Sequence, residues 1–255
     1  WLARQFFMRI GNNTKSVLVG DPDQLQSVGA GDVFRQLINS GLIPVTVLDK
    51  IFRQKDGSRI ALNARAINND QTKLSYGDDF CFYKCQTQDQ AADIIKRAFC
   101  DLAEKYGIEN VQILSPYRKK GAAAANELNL AIREIVNPYK GGLPDLRIGA
   151  DYFRVGDKVM QNKNNSKASN GDIGFIRDIG TDKDNKAVIT IEFSADRKAE
   201  YTLEDMKNIE LAYATTVHKA MGSEYDIVIM PIIKSHYNML NRNLVYTGIT
   251  RAKHR

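Results

Sequence analysis

Apolar residues recur along this chain at two spacings, one typical of helices and one typical of strands. Helical spacing is found at residues 2–10, 34–39, 58–68, 90–106 and 121–136, and short apolar runs predict strands at 16–19, 45–48, 80–83 and 111–114. In the 121–136 segment, Leu128, Ile132 and Ile135 share one face. Alternation of helices with strands predicts an α/β fold.

The pattern changes after Pro138. From about Tyr152 to Tyr201 the chain has short strand-like runs separated by Gly, Asp and Asn turns, which predict a small β-barrel. From Leu211 onward the α/β pattern resumes, with a helix predicted at 216–221, a strand at 226–232, and a strand or helix entry at 244–250. A β module therefore interrupts an α/β domain.

Composition is that of an ordinary soluble protein. The 255 residues are 43% hydrophobic and 26% charged, enough for more than one core and too apolar for wholesale disorder. The net charge of +6 permits a polyanionic partner without identifying one. Three cysteines without Cys-x-x-Cys spacing, and no apolar run near ~18 residues, predict free thiols in a cytoplasmic protein with no membrane or metal partner.

Gln24 and two arginines are the candidates for chemistry on a phosphate. Gln24 follows the predicted strand 16–19, and its amide could donate to a phosphate oxygen and accept from a water; the alternative interpretation of Gly-Asp-Pro-Asp is a plain tight turn. Arg53 follows the 45–48 run, and Arg251 begins a segment that resembles a helix start. Guanidinium groups can stabilise a transferring phosphoryl group, but an isolated arginine is more often a surface ion-pair residue.

Two further segments suit a phosphodiester backbone. Thr215 to Glu224 supplies hydroxyls and amides, with Thr216, His218 and Ser223 among them; local packing is the favoured interpretation of His218. Residues 115–120 combine an aromatic ring with three cations, the mixture that stacks a base and holds its phosphates. A solvated run of charge explains the same residues.

Read in order, these segments resemble the motifs of superfamily 1 helicases. Residues 20–25 resemble motif III, 48–54 motif IV, 215–224 motif V and 245–253 motif VI. Residues 153–160 with 170–174 resemble the SH3-like insertion of the RecD-like enzymes, which include the TraA group.

This resemblance implies a RecA-like P-loop NTPase fold, partial in the first domain and complete in the second, with an inserted SH3-like β-barrel. It implies boundaries at 1–48 for the first domain, 49–149 with 210–255 for the second, and 150–209 for the insertion. The implied activity is ATP-dependent translocation on single-stranded DNA, in the 5′–3′ direction, coupled to duplex unwinding in DNA repair or recombination. Nuclease or repair-complex subunits are the implied protein partners.

The resemblance also gives each motif residue a role. Gln24, Arg53 and Arg251 correspond to catalytic groups at the γ-phosphate of ATP, and Glu224 to a contact near the nucleotide sugar. Nucleic-acid contacts are implied for Ser115, Tyr117, Arg118, Thr216, His218 and Ser223.

The sequence departs from the family pattern in its phosphate-binding loop. No Gly-x-x-x-x-Gly-Lys-Ser/Thr occurs, and the chain starts at Trp1. We therefore expect a C-terminal fragment, inactive alone, of a protein that binds ATP and Mg²⁺ mainly through an upstream domain. Gln26 replaces the usual proline of motif III, and Gly248 the commoner alanine of motif VI.

Two other classes of function remain open. A non-catalytic module that binds single-stranded nucleic acid explains the charge but not the combination of Gln24, Arg53 and Arg251. A peptide-binding SH3-like module would need exposed aromatic residues that the small core of the β module also requires.

Overall fold

The computed structural model describes residues 1–11, 13–26, 31–48, 57–141, 145–149, 151–194 and 196–255. The helices are α1 (Leu2–Arg9), α2 (Val33–Asn39), α3 (Arg59–Asn68), α4 (Gln88–Tyr106), α5 (Ala125–Val136) and α6 (Arg242–Ile249). The strands are β1 (Val111–Ser115), β2 (Leu146–Ile148), β3 (Asp151–Phe153), β4 (Lys158–Gln161), β5 (Ile173–Thr181), β6 (Ala187–Ser194), β7 (Arg197–Tyr201), β8 (Ile209–Leu211), β9 (Ala214–Thr216) and β10 (Ile227–Ile229). The predicted mixed α/β fold is confirmed.

A parallel sheet with strand order β10-β1-β9 forms the centre of the α/β part. All five residues of β1 are buried, as expected for the middle strand of a covered parallel sheet. Helices α4 and α5 pack against it through Phe99, Leu128 and Ile132, which lie in one core. The helical spacing of these apolar residues therefore follows from the surface they cover.

The last residues of the chain continue this sheet. Tyr225 and Ala252 form a parallel bridge, and the amide of Lys253 donates to the carbonyl of Tyr225 at 2.8 Å. Further along, the amide of Val228 donates to the carbonyl of Arg255, also at 2.8 Å. The segment that follows α6 thus runs beside β10, which places the end of α6 against the edge of the sheet.

The β module is a five-stranded antiparallel sheet with strand order β7-β6-β5-β4-β8. Its core contains Phe153, Ile176, Ile191 and Tyr201, and the β2–β3 hairpin packs into the same core through Leu146. In the described residues the ladders do not join β7 to β8, so the SH3-like fold is seen here as an open sheet. The module begins at β2, about four residues before the predicted boundary.

Three predicted strands are not formed. Residues 16–19 and 45–48 have no regular secondary structure, and Val17 and Val19 are 85% and 87% exposed. In 80–83 the only described pairing is an isolated bridge between Gly77 and Phe80. A β-branched run becomes a strand only when another strand pairs along it, and in the described residues no ladder extends along any of these three segments.

Two predicted helices near the carboxyl end were also wrong. Residues 217–222 are turns that follow β9, and Thr250 to Lys253 follow the end of α6 rather than begin a helix. The helix predicted from Gly121 begins at Ala125, and Ile135 on its predicted apolar face is 53% exposed. The spacing of apolar residues could not show that residues 252–255 run beside residues 225–228 instead of forming a helix.

Lys158 anchors the β module to the parallel sheet. It belongs to β4, is 1% exposed, and its ammonium group donates to the carbonyls of Ile108 (3.0 Å) and Val111 (2.9 Å). Beside it, Tyr213 donates to the buried carboxylate of Asp157 at 3.2 Å and accepts from the amide of Lys158 at 3.3 Å. The junction is therefore a buried polar network, whose orientation is fixed by directional bonds.

Burial of Lys158 predicts a specific dependence of stability on pH. Complete desolvation lowers its pKa to about 7, whereas the unfolded chain retains the ordinary value near 10.5. Between these values only the unfolded state binds the proton, so stability rises with pH from 7 to 10 and levels off below 7. The free energy of unfolding of the native protein, minus that of Lys158→Met, should rise by up to ~1.4 kcal/mol per pH unit in urea titrations.

The exposed Lys186 provides the control for this experiment, since its side chain is 76% exposed. Lys186→Met should run parallel to the native protein across the same pH range. If the native and Lys158→Met curves are also parallel, Lys158 retains its ordinary pKa and the desolvation argument is incorrect.

No helix of the described residues is both long enough and apolar enough to cross a membrane.

Candidate functional site: a glutamine–arginine pair and a loop-lined sheet edge

Gln24 lies in a loop that is held against α6. The amide of Leu25 donates to the Thr247 hydroxyl at 2.8 Å, and the Asn243 side chain donates to the Gln24 carbonyl at 3.1 Å. The Gln24 side chain donates to the carboxylate of Asp21 at 3.0 Å. These bonds join the amino-terminal segment to the last helix and leave the oxygen of the Gln24 amide directed toward Arg251.

Arg251 completes this pair from the other end of the chain. One guanidinium nitrogen donates to Gln24 Oε1 at 3.0 Å, across a separation of 227 residues. The same side chain donates to the carbonyls of Ser223 (3.1 Å) and Thr247 (3.3 Å), and Arg251 is only 2% exposed. The structure therefore brings together Gln24 and Arg251, two of the three predicted catalytic residues.

Surrounding groups hold the pair in an enclosed polar site. Tyr246 donates to the carboxylate of Asp21 at 3.2 Å, and burial together with this carboxylate raises the pKa of Tyr246 to about 12. The phenol stays protonated and remains a hydrogen-bond donor at neutral pH. Glu224 is exposed and forms an ion pair with Lys253 at 3.1 Å, one residue from the carbonyl that Arg251 contacts. Arg53 lies outside the described residues.

The described residues suit a phosphate better than a metal ion. A buried guanidinium beside a glutamine amide offers planar donors of the kind that match phosphate oxygens. No group of three or more His, Cys, Asp or Glu in the described part of the chain could hold a metal.

The predicted nucleic-acid residues follow strands that end at one edge of the parallel sheet. Ser115 ends β1 and Thr216 ends β9, and these two residues are partners in the parallel register. The loops that follow these strands emerge side by side, in the position where open α/β sheets bind ligands. Thr216, His218 and Ser223 are half-buried along one of these loops, in which Gly222 adopts a left-handed conformation (φ 84°).

Ser115 is a correction to the predicted site. Its side chain is fully buried, and its hydroxyl donates to the carbonyl of Ala123 at 2.8 Å and accepts from the amide of Tyr117 at 3.3 Å. It shapes the loop from inside and does not present its hydroxyl to a ligand. Tyr117 is half-buried, and its ring packs edge-on against His236 with a centroid distance of 5.1 Å.

Three polar residues of this edge were missed in the sequence. Glu210, at β8 of the module, forms an ion pair with Arg118 at 3.0 Å and another with Lys219. Lys219 also donates to the side chain of Asn162 at 2.8 Å. Lys219 lies inside the motif V segment and could have been noticed there, whereas Glu210 and Asn162 become neighbours only through folding.

Family profiles match three parts of the chain. Residues 1–86 match an AAA domain, 128–193 the ATP-dependent RecD-like DNA helicase SH3 domain, and 211–255 the UvrD-like helicase C-terminal domain. With the pairing of Gln24 and Arg251 and the loop-lined sheet edge, these matches define the class: the chain is homologous to superfamily 1 DNA helicases of the RecD-like group.

Three named relatives are similar to nearly the whole of this chain. The chain is 34% identical over 241 residues to the ATP-dependent RecD2 DNA helicase of Deinococcus radiodurans, covering 94% of this chain and 32% of that protein. It is 25% identical to the RecBCD enzyme subunit RecD of Buchnera aphidicola, covering 99% of this chain and 50% of that protein. It is also 25% identical to the conjugal transfer protein TraA of Agrobacterium fabrum, covering 94% and 21%. The chain thus spans half or less of these relatives.

A solved structure supports the fold. The Pif1 helicase from Bacteroides in complex with ADP-AlF3 and ssDNA aligns with a TM-score of 0.54 at 18% identity, covering 92% of this chain and 59% of that one. At this level of identity the similarity concerns the fold alone.

Proposed function

We propose that the complete protein is an ATP-dependent DNA helicase that moves 5′ to 3′ along single-stranded DNA and unwinds duplexes in DNA repair or recombination. In this proposal residues 1–48 belong to a first RecA-like domain, 49–149 with 210–255 form the second, and the insertion at 150–209 is the SH3-like module. The cytoplasmic location, and nuclease or repair-complex partners, remain predictions. The RecD and RecD2 relatives support the activity.

The 3.0 Å bond between Gln24 and Arg251 is the observation on which the proposal depends. It couples a loop of the proposed first domain to the segment that follows α6 in the proposed second domain, so a ligand held by both groups also holds the two segments together. Bound ATP supplies a phosphoanhydride whose hydrolysis releases free energy. When a phosphate binds, Arg251 can donate to a phosphate oxygen, which is more negative than the amide oxygen of Gln24. The Gln24 oxygen is then available to accept a hydrogen bond from a water.

The loop-lined sheet edge, formed by the loops that follow β1 and β9, is the proposed contact surface for DNA. Glu210 forms ion pairs with Lys219 and Arg118, so both cations are held in position before single-stranded DNA binds. The motif V loop connects this edge to the phosphate pair directly, since Ser223 lies in this loop and its carbonyl accepts from Arg251. A change at Arg251 can therefore shift the loop that would contact DNA. This contact is the structural basis we propose for coupling.

Two measurements test the proposal. The complete protein should hydrolyse ATP faster when single-stranded DNA is added, and should unwind a duplex with a 5′ tail but not one with a 3′ tail. An opposite preference for the tail would contradict the direction. Tight strand binding without ATP hydrolysis would instead support a non-catalytic binding module.

For residues 1–255 alone we expect weak binding to single-stranded DNA that falls steeply with salt, because Lys and Arg release counterions from phosphates. We also expect no steady-state ATP hydrolysis from this chain. Turnover by residues 1–255 alone would contradict the assignment of the remaining phosphate contacts to an upstream domain.

A further inference from the structure

The loop that follows β10 contains a buried imidazole with no hydrogen-bond partner in the described residues. His236 is 1% exposed, and neither ring nitrogen is bonded in the part of the chain that the structure describes. Burial lowers its pKa, so the ring is neutral and offers an apolar surface. Tyr117 packs edge-on against that surface, with an interplanar angle of 63°.

This loop emerges at the same edge of the sheet as the predicted DNA contacts. β10 is parallel to β1, with Ile229 paired to Ile113, so both strands run toward the same edge. The contact between His236 and Tyr117 shows that the two following loops meet there. The loop after β10 is therefore the third one at this edge, beside those that follow β1 and β9.

The loop is anchored at both ends and exposes an aromatic ring between them. Ile233 is buried before the turn, and Met239 and Leu240 pack into an apolar cluster after it. Between these anchors, Tyr237 is 70% exposed. An exposed aromatic residue on an ordered turn suits stacking, because little conformational freedom is lost when a base arrives.

Exposed cations lie on the same turn and on the loop that follows β1. Lys234 is exposed on the same turn, and Lys119 and Lys120 are exposed in the loop that Tyr117 begins. Single-stranded DNA bound along this edge could stack its bases on the aromatic rings and place its phosphates near the ammonium groups. This combination favours a single-stranded nucleic acid over a peptide as the ligand.

We propose that Tyr237 is a base-stacking residue for single-stranded DNA and that His236 is the positioning residue that holds Tyr117 beside it. The proposal rests on the proposed function and adds a third loop to its DNA interface. The stacking is with the base face, so it does not depend on sequence and adds no phosphate contact.

The probes are a dT oligonucleotide and an abasic oligonucleotide of equal length, which share phosphates but differ in bases. In the complete protein, Tyr237→Ala should weaken dT binding about 10-fold and leave abasic binding unchanged, while Tyr237→Phe binds dT normally. The slope of affinity against salt should not change, because no phosphate contact is lost. Tyr106→Ala is the matched control, since Tyr106 is exposed at the end of α4, before β1 begins.

The positioning role of His236 has its own test. His236→Phe keeps a ring under Tyr117 and should retain dT affinity, whereas His236→Ala should lose as much affinity as Tyr117→Ala. The double variant with His236→Ala and Tyr117→Ala should lose no more dT affinity than either single variant, because each change removes the same stacking surface.

The outcomes separate this inference from the proposed function. A native protein that binds neither oligonucleotide overturns both. A native protein that binds dT and hydrolyses ATP, with Tyr237→Ala equal to the native protein on both probes, overturns the stacking role alone. Equal weakening on dT and abasic probes would also overturn it, because the loss would then concern phosphates.

Discussion

Replacing Arg251 by lysine should lower the kcat of DNA-stimulated ATP hydrolysis by about 10³-fold in the complete protein. The lysine retains one positive charge but cannot contact Gln24, Ser223 and Thr247 with separate nitrogens, as the guanidinium does. If the group acts mainly in the transition state, KM for ATP should change much less than kcat. Steady-state kinetics with saturating single-stranded DNA measure both constants.

Arg242→Ala is the matched control for this experiment. Arg242 begins α6, the helix that ends just before Arg251, and its ion pair with Asp70 lies at the surface, with the Asp70 side chain 79% exposed. This variant should hydrolyse ATP at nearly the native rate. Thermal unfolding of both variants separates a local effect from loss of the fold. If a folded Arg251→Lys retains kcat within twofold, Arg251 does not stabilise the phosphoryl group and the motor assignment fails.

Replacing Asn129 by leucine should lower the free energy of unfolding by about 3–5 kcal/mol. The buried Asn129 side chain donates to the carbonyls of Leu211 and Ala214, both at 2.9 Å, and accepts from the amide of Ala214 at 2.7 Å. Leucine has a similar size but leaves three backbone groups without these bonds in a dry environment. Urea unfolding followed by circular dichroism measures the loss.

Asn129 also holds the exit of the β module and the start of β9 against α5, so the variant should lose affinity for single-stranded DNA as its fold loosens. Asn126→Ala, three residues earlier on α5 and half-buried, should change stability by less than ~0.5 kcal/mol. A cost below about 1 kcal/mol for Asn129→Leu would mean that water or a backbone shift satisfies these groups.

Gly248, which departs from the family pattern, lies close to a side chain that is distant in the sequence. Gly248 is buried in α6, and a Cβ at this position would lie 2.6 Å from the sulfur of Met230, which follows β10. The commoner alanine would require Met230 to move. The glycine and this methionine therefore fit each other, although nothing in the order of residues links positions 230 and 248.

Local features that involve neighbouring residues were predictable. Apolar spacing located α3, α4, α5 and β1 because each of them buries apolar residues at that spacing. The order of the motif segments indicated the helicase class without any knowledge of contacts. The β module was recognisable because its strands pair with their sequence neighbours, as β5 does with β6.

Contacts between distant residues were decided only by the tertiary structure. The sequence by itself determined that Gln24 and Arg251 are candidates for one phosphate site; their 3.0 Å contact required the loop to dock on α6. The sequence likewise suggested Ser115 as a DNA contact, and folding placed its hydroxyl inside the protein. Spacing reports which face of a helix or strand is apolar, but burial of a polar group depends on partners that only the folded chain brings near.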